Sequence, residues 1–351
     1  MAGRKNAIPP RSSEHLGTTG EAPGHQRGRG WAIFSPVYPW LVGAVFLGLA
    51  LTFLPPWHFI IEANRLQAPI YAIALCVLAL TFPWMRRVVS KGAQCVVGAL
   101  LIAFLLRFLH LNQPFFLTGS REVDGSTPPP AQFSVVSLGV RSAADLPAAR
   151  VLLEGGSPDI VGLWGYGAGE VGRALATATP AFAGVLLGEK VALLSRAPLI
   201  GEGRTSLGED ASPGLMATVA APGGAAALVA VFDLPPLTDS PTMIRNRRAI
   251  RRVATEARHA AVPVVVLGDL QGRLGGSLYS ILTEGSDLVD AAWGRGWWLP
   301  GDRYPFHRLF ALDHVLVKGA RVTAMTAVPR SGSGAAPLRV ELALPPLGAL
   351  D

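Results

Sequence analysis

The sequence predicts a chain of two parts, three N-terminal transmembrane helices followed by an α/β domain. Three observations predict this. Three long apolar stretches come early in the 351 residues, half of which are hydrophobic. From Phe133 to the C-terminus, strand and helix signals alternate. Between the two parts, 112–132 holds Gly119, Gly125 and the run Pro128-Pro129-Pro130, the composition of a stiff, extended linker.

Residues 1–30 are rich in Gly, Ser, Pro and charge and read as a disordered cytoplasmic tail. Within 31–111, the apolar stretches 39–54, 69–85 and 92–111 are each near the ~17–25 residues that cross a bilayer. Trp40, Trp57, Tyr71 and Trp84 stand near their ends, where amphipathic rings favour the interface, and Arg107 is placed to snorkel. Arg4, Lys5, Arg11, Arg27 and Arg29 precede the first span, and Arg86, Arg87 and Lys91 separate the second from the third. The connection between the first two has only Arg65, beside Glu62. The positive-inside rule then puts the N-terminus in the cytoplasm and residues 133–351 outside, which in a bacterial inner membrane is the periplasm. The lipid bilayer is the first expected partner, and a membrane-protein complex the second.

The net charge of +7 belongs to this topology. Residues 133–351 carry twenty Lys and Arg against nineteen acids. A nearly neutral domain lacks the broad basic surface of bulk nucleic-acid binding. Cys76 and Cys95 both fall in apolar spans, so the outer domain has neither a disulfide framework nor a zinc spacing.

In the outer domain, 133–138 reads as a strand, 143–154 as a helix and 159–164 as a buried strand. A short helix follows at 170–178, then strands at 185–187, 191–194, 215–219 and 227–232. A long helix is predicted over 242–260, with Ile250, Val253, Ala254 and Ala257 as its apolar stripe. Arg245, Arg248 and Arg252, with Arg247, Arg251 and Arg258 beside them, occupy its other face, as solvated charge or as a phosphate- or lipid-binding ridge. A strand from 264, a helix at 277–282 and strands at 312–317 and 338–344 complete the domain. The mixed order predicts two packed sheets with helices outside.

The strand at Pro263-Val264-Val265-Val266-Leu267 ends in Gly268-Asp269-Leu270-Gln271. In an extended segment the carboxylate of Asp269 and the amide of Gln271 point the same way, toward the strand end where open sheets bind ligands. An ordinary strand-to-loop turn has the same composition.

Four motifs, Pro158-Asp159-Ile160-Val161-Gly162-Leu163, Leu194-Ser195-Arg196-Ala197-Pro198, Gly268-Asp269-Leu270-Gln271 and Leu312-Asp313-His314-Val315, occur in an order that resembles the endonuclease/exonuclease/phosphatase superfamily. The resemblance covers about 133–346 and implies a four-layered α/β sandwich. It further implies hydrolysis of phosphate esters with a divalent metal, usually magnesium. A carboxylate fixes the metal, an Asp-His pair activates water, and Asn and His hold phosphoryl oxygens. Some bacterial members similarly carry N-terminal spans.

Position by position, the resemblance implies a dismantled site. Gly139 stands where the family has its first-strand Asn, Gly165 where it has the metal-binding Glu, and Asp233 where it has a phosphate-contacting His. Asp269 is kept, but Gln271 replaces the Asn two residues on. Asp313 is kept, but the closing Ser-Asp-His-x-Pro motif reads Ser333-Gly334-Ala335-Ala336-Pro337, so the imidazole that Asp313 would orient is Ala335. No His follows His314. Asp269, Gln271, Asp313 and Asp233 are thus remnants, and the expected function is non-catalytic: an accessory subunit of a membrane complex or a ligand-sensing module, with no cofactor. The alternative is an active magnesium-dependent phosphodiesterase or phosphatase, with Asp233, Asp269 and Asp313 rebuilt into a metal site and His307 as base. Trp293, Trp297, Trp298, Tyr304 and Phe306 mark an aromatic loop that is either a contact surface or a flap folded over the sheet edge.

Overall fold

The computed structural model describes residues 38–51, helical residues spaced through 70–106, and 131–345 except 155–156, 180, 207–212, 222–223, 273–275, 294–298, 300–312 and 329–336. The expected tail and almost all of the expected linker lie outside the described residues.

The first apolar stretch forms helix α1 (Tyr38–Leu51), 14 residues without a charged side chain. At 1.5 Å per residue it is roughly 21 Å long, against a hydrocarbon core of about 30 Å. Among the described residues no helix is long and apolar enough to cross a membrane. Helical residues recur within 70–81 and 91–106, where the second and third spans were expected. Trp40 and Leu47, and likewise Leu80, Ile102 and Leu106, leave large apolar side chains exposed.

The α/β domain begins two residues before the expected boundary. Strand β1 (Ala131–Gly139) takes in Ala131 and Gln132 because they pair with Leu344 and Ala343 of β12 (Leu338–Leu344). After a short 3-10 turn (Ala143–Asp145) come α2 (Leu146–Glu154), β2 (Ile160–Trp164), α3 (Ala168–Ala178), β3 (Gly184–Leu187) and β4 (Val191–Ser195). Then follow β5 (Leu199–Ser206), β6 (Pro213–Ala220), β7 (Ala226–Asp233), α4 (Ser240–His259) and β8 (Val264–Asp269). The chain closes with α5 (Ser277–Ser286), β9 (Val289–Asp290), β10 (Asp313–Lys318), β11 (Arg321–Ala327) and β12.

The described strands make two six-stranded sheets, ordered β11-β12-β1-β2-β4-β3 and β5-β6-β7-β8-β10-β9. Each has one parallel pair at its centre, β1 with β2 and β7 with β8. The valine run of β8 needs no polar alternation because both of its faces are buried. Val265 and Leu267 face the other sheet, where they join Phe133, Val135 and Val231. Val264 and Val266 face the opposite way and pack under Ile250, Val253 and Ala257 of α4 and Leu278 and Leu282 of α5. Val136 and Leu138 of β1 likewise meet Val171 and Leu175 of α3. Helix, sheet, sheet, helix: the four layers are those the sequence predicts.

Three strands escape the sequence pattern: β5, β9 and β11. Two of them, β5 and β11, have broken registers against their partners, and β11 leaves Arg321, Thr323 and Ala324 exposed. Edge strands face water on one side and vary in pleat, so neither a continuous apolar run nor clean alternation marks them.

Asp159 ties the start of β2 to β1. Its Oδ2 accepts hydrogen bonds from the Ser134 backbone N–H and hydroxyl, both at 2.8 Å. Asp159→Ala leaves two donors beside a buried strand unbonded. A loss of roughly 2 kcal/mol is expected, read as a lower urea midpoint at unchanged m-value.

Candidate functional site

The parallel pairs aim their C-terminal ends at the same end of the sandwich. Gly162 in β2 packs against Leu267 and Val231 of the second sheet, and the Lys190 charge beside β2's end reaches Asp233 at β7's end. This end gathers Gly139, Trp164 and Gly165 from the first sheet with Asp233, Asp269 and Asp313 from the second.

The three aspartates stand side by side. Asp269 closes β8 in register with Asp233 of its parallel neighbour β7 and with Asp313 of its antiparallel neighbour β10. Gly268 makes this possible. Its φ is +121°, and a Cβ there would lie 2.0 Å from the carbonyl oxygen of Phe232. Only glycine lets the strand turn its carboxylate at that point.

Burial pushes the Asp269 carboxyl up to about 7, with the charges of Asp233 and Asp313 adding to the rise; the Gln271 N–H and His314 work against it. Burial raises Asp233 to about 6, and the positive charge of Lys190 opposes the rise. Among the described residues no group of three or more His, Cys, Asp or Glu is arranged to hold a metal ion.

Gln271 departs from the expected geometry. It does not point outward alongside Asp269 as in an extended strand, because β8 ends at Asp269 and Gln271 adopts φ +46°. The turn closes on itself. The Gln271 backbone N–H donates to Asp269 Oδ1 at 2.8 Å and its side-chain amide to Oδ2 at 2.9 Å. Both carboxylate oxygens are therefore already engaged.

On the first sheet, the two glycines are filled or closed positions. Trp164 lies in register with Gly139, and its ring comes within 2.7 Å of where a Gly139 Cβ would be. Its indole N–H donates to Ser137 Oγ at 3.2 Å, which fixes the ring there. Gly165 has φ +108°, and a Cβ would sit 2.2 Å from the carbonyl oxygen of Val140. A glutamate has no room on this backbone. Among the described residues, those at these places do not fit the divalent metal that the resemblance implies.

Lys190 completes the surface. Its carbonyl accepts from Gly165 N–H at 2.9 Å, and its ammonium stands 4.2 Å from the centre of the exposed Tyr166 ring. This cation–π contact places a fixed positive charge beside the aspartate row.

His314 does not line this face, though its charge is felt by Asp269. As a neighbour of Asp313 on β10 it points to the helix side, where it is buried. Nδ1 lies 2.8 Å from Asp290 Oδ2 and Nε2 lies 2.7 Å from the Gly272 carbonyl oxygen. Both partners can accept, an arrangement that suits the doubly protonated, charged ring. Burial opposes that charge, but the Asp290 carboxylate, with Asp313 and the Gly272 carbonyl, raises His314 above its ordinary value. The bond to Gly272 also pins the turn that carries Gln271.

Of the aromatic loop, Trp293 is half-buried and packs against apolar clusters on both faces of the second sheet. Trp297, Trp298, Tyr304 and Phe306 lie outside the described residues, as do His307 and Ala335. Sequence reasoning missed Trp164, Tyr166, Lys190 and Asp290. A bulky Trp directly before Gly165 was the available signal for the first. Lys190 and Asp290 gave none, since each acts through a contact distant in sequence.

No family model matches the chain, and no curated protein does. Solved structures do. One is an endonuclease/exonuclease/phosphatase from Beutenbergia cavernae, 17% identical, covering 61% of this chain and 72% of that one at a TM-score of 0.47. A family protein of the same name from Bacteroides thetaiotaomicron is 14% identical over 62% of this chain and 97% of that one, TM-score 0.48. A mannosyl-6-phosphatase from the same organism is 15% identical over 60% and 100%, TM-score 0.47. The likeness is one of fold alone.

Proposed function

We propose that residues 131–345 are a domain of the endonuclease/exonuclease/phosphatase superfamily whose hydrolytic site has been dismantled. The domain works by binding, as an accessory subunit or ligand-sensing module held at a bacterial inner membrane with this domain in the periplasm. The observation that carries the reading is Gly165. At the place of the metal carboxylate, the backbone has a positive φ and a carbonyl oxygen where a side chain would start. The Trp164 ring over Gly139 supports it from the neighbouring strand. A hard cation needs several oxygen ligands, and the first sheet offers no side-chain oxygen at either place. The membrane anchor is supported by the three apolar stretches and by the large apolar side chains exposed on the helical residues of 38–106.

One observation favours a second reading. The aspartate row puts Asp233, Asp269 and Asp313 in register across β7, β8 and β10, the starting point from which a magnesium site for a phosphodiesterase or phosphatase would be rebuilt. The two readings part in one assay. The full chain in detergent is incubated with magnesium or manganese and a generic phosphodiester or phosphomonoester. Turnover no greater than that of Asp269→Ala is expected; removal of an electrostatic or general-base group typically costs about 10²–10⁴ in rate, so an active site would show a clear gap.

A further inference from the structure

The outward face of α4 plays no part in the binding end of the sandwich. This helix carries six arginines and one glutamate in 20 residues, inside a domain that is close to neutral only when the helix is counted. Its buried side, Ala249, Ile250, Val253 and Ala257, is fixed against the second sheet, so the opposite side must face out. Arg245, Arg248, Arg251, Arg252 and Arg258 are all exposed. Ile244, 46% exposed, stands in line with Arg248, Arg251 and Thr255 along the helix. Between Ser240 and Thr255 there is no acid; Asp239 caps the helix start with its charge felt by Arg245, Glu256 lies in the last turn, and Glu284 and Asp287 belong to the neighbouring α5 and the residue after it.

Like charges crowded along about three turns repel unless an anionic surface lies opposite. We propose that this arginine ridge seats the domain on the anionic phosphate headgroups of a lipid bilayer. Guanidinium forks match phosphate oxygens, and a straight ridge with an apolar side chain among the cations fits a planar interface. A nucleic-acid duplex would call for a wider basic surface than one helix in a neutral domain. The inference rests on the membrane anchor of the proposed function. The linker before β1 gives it reach: 19 residues, 112–130, extend to at most about 65 Å.

The test uses the full chain. Extraction by alkaline carbonate without detergent tests the anchor by itself: retention in the membrane is expected, and release refutes the anchor. The chain is then reconstituted into nanodiscs of phosphatidylcholine, with or without phosphatidylglycerol. Arginine reactivity toward phenylglyoxal is read residue by residue. Phosphatidylglycerol is expected to protect Arg245, Arg251 and Arg252 at least about threefold, with protection lost in high salt. Arg150 and Arg196, exposed around the first sheet, serve as controls and are expected to be unchanged. Equal reactivity in both discs overturns the proposal, as does protection by duplex DNA in neutral discs. If carbonate releases the chain, flotation with phosphatidylglycerol vesicles replaces the discs. The ridge then stands if the wild-type chain floats and the Arg245→Glu, Arg251→Glu, Arg252→Glu triple variant does not; it falls if both behave alike.

Discussion

Gly165→Glu, the substitution that would restore the superfamily's metal carboxylate, is expected to unfold the domain more readily and to restore nothing. Two costs combine. A glutamate at φ +108° occupies a backbone region that L side chains rarely adopt, and its Cβ would fall 2.2 Å from the Val140 carbonyl oxygen. Strained backbone alone costs about 1–3 kcal/mol, and the clash forces the strand end to move as well, so a total of roughly 3–5 kcal/mol is expected. Urea denaturation of the variant beside wild type measures it. Gly165→Ala separates the terms, since it carries the same Cβ without the charge and should account for most of the loss. A glutamate variant as stable as wild type would show that the position had merely lost its carboxylate and still had room for one.

Asp269→Asn is expected to act in the opposite direction, and increasingly so as pH rises above about 4. The Asp269 carboxyl, ordinarily at 3.8, sits at about 7 in the fold. Between those values the folded protein holds a proton that the unfolded chain has released. The fold's advantage from this group is therefore full below about pH 4 and falls as pH rises toward and through 7. The whole span corresponds to roughly 4 kcal/mol at pH 8. Asparagine removes the ionisation, and Gln271 can turn its amide to keep the turn bonded. The variant should thus be more stable than wild type at pH 8 by up to about that amount, with the gain shrinking toward pH 4. Asp233, raised to about 6, tilts the same curve in the same sense. Unfolding midpoints across pH 4–9 for both proteins check this; a constant difference across the range would show that Asp269 does not titrate as described.

The fold was legible because its central strands are buried on both faces. A run such as Val264-Val265-Val266-Leu267 advertises itself, and α4 shows its helical period through Ile250, Val253 and Ala257. β5 and β11 were not legible, because edge strands with broken registers have no one-faced pattern. At the aspartate end of the sandwich, the aspartates could be listed from sequence, but their register could not, since it follows from pairings between β7, β8 and β10 across tens of residues. The reading of Gln271 failed at a single dihedral. Two residues past the strand end the backbone passes from pleated to left-handed, and the amide swings back onto the carboxylate it was expected to stand beside. Trp164 shows a different limit: its size was visible, but its role as the ring covering Gly139 depends on the parallel pairing of β1 with β2.

The central claim is that this end of the sandwich has lost its hold on a divalent cation, and manganese binding tests it without reference to turnover. Manganese titrated into the full chain, followed by the paramagnetic resonance of the free ion, should show no site that Asp269→Ala abolishes, even at millimolar metal. A submillimolar site present in wild type and absent from Asp269→Ala would contradict the account.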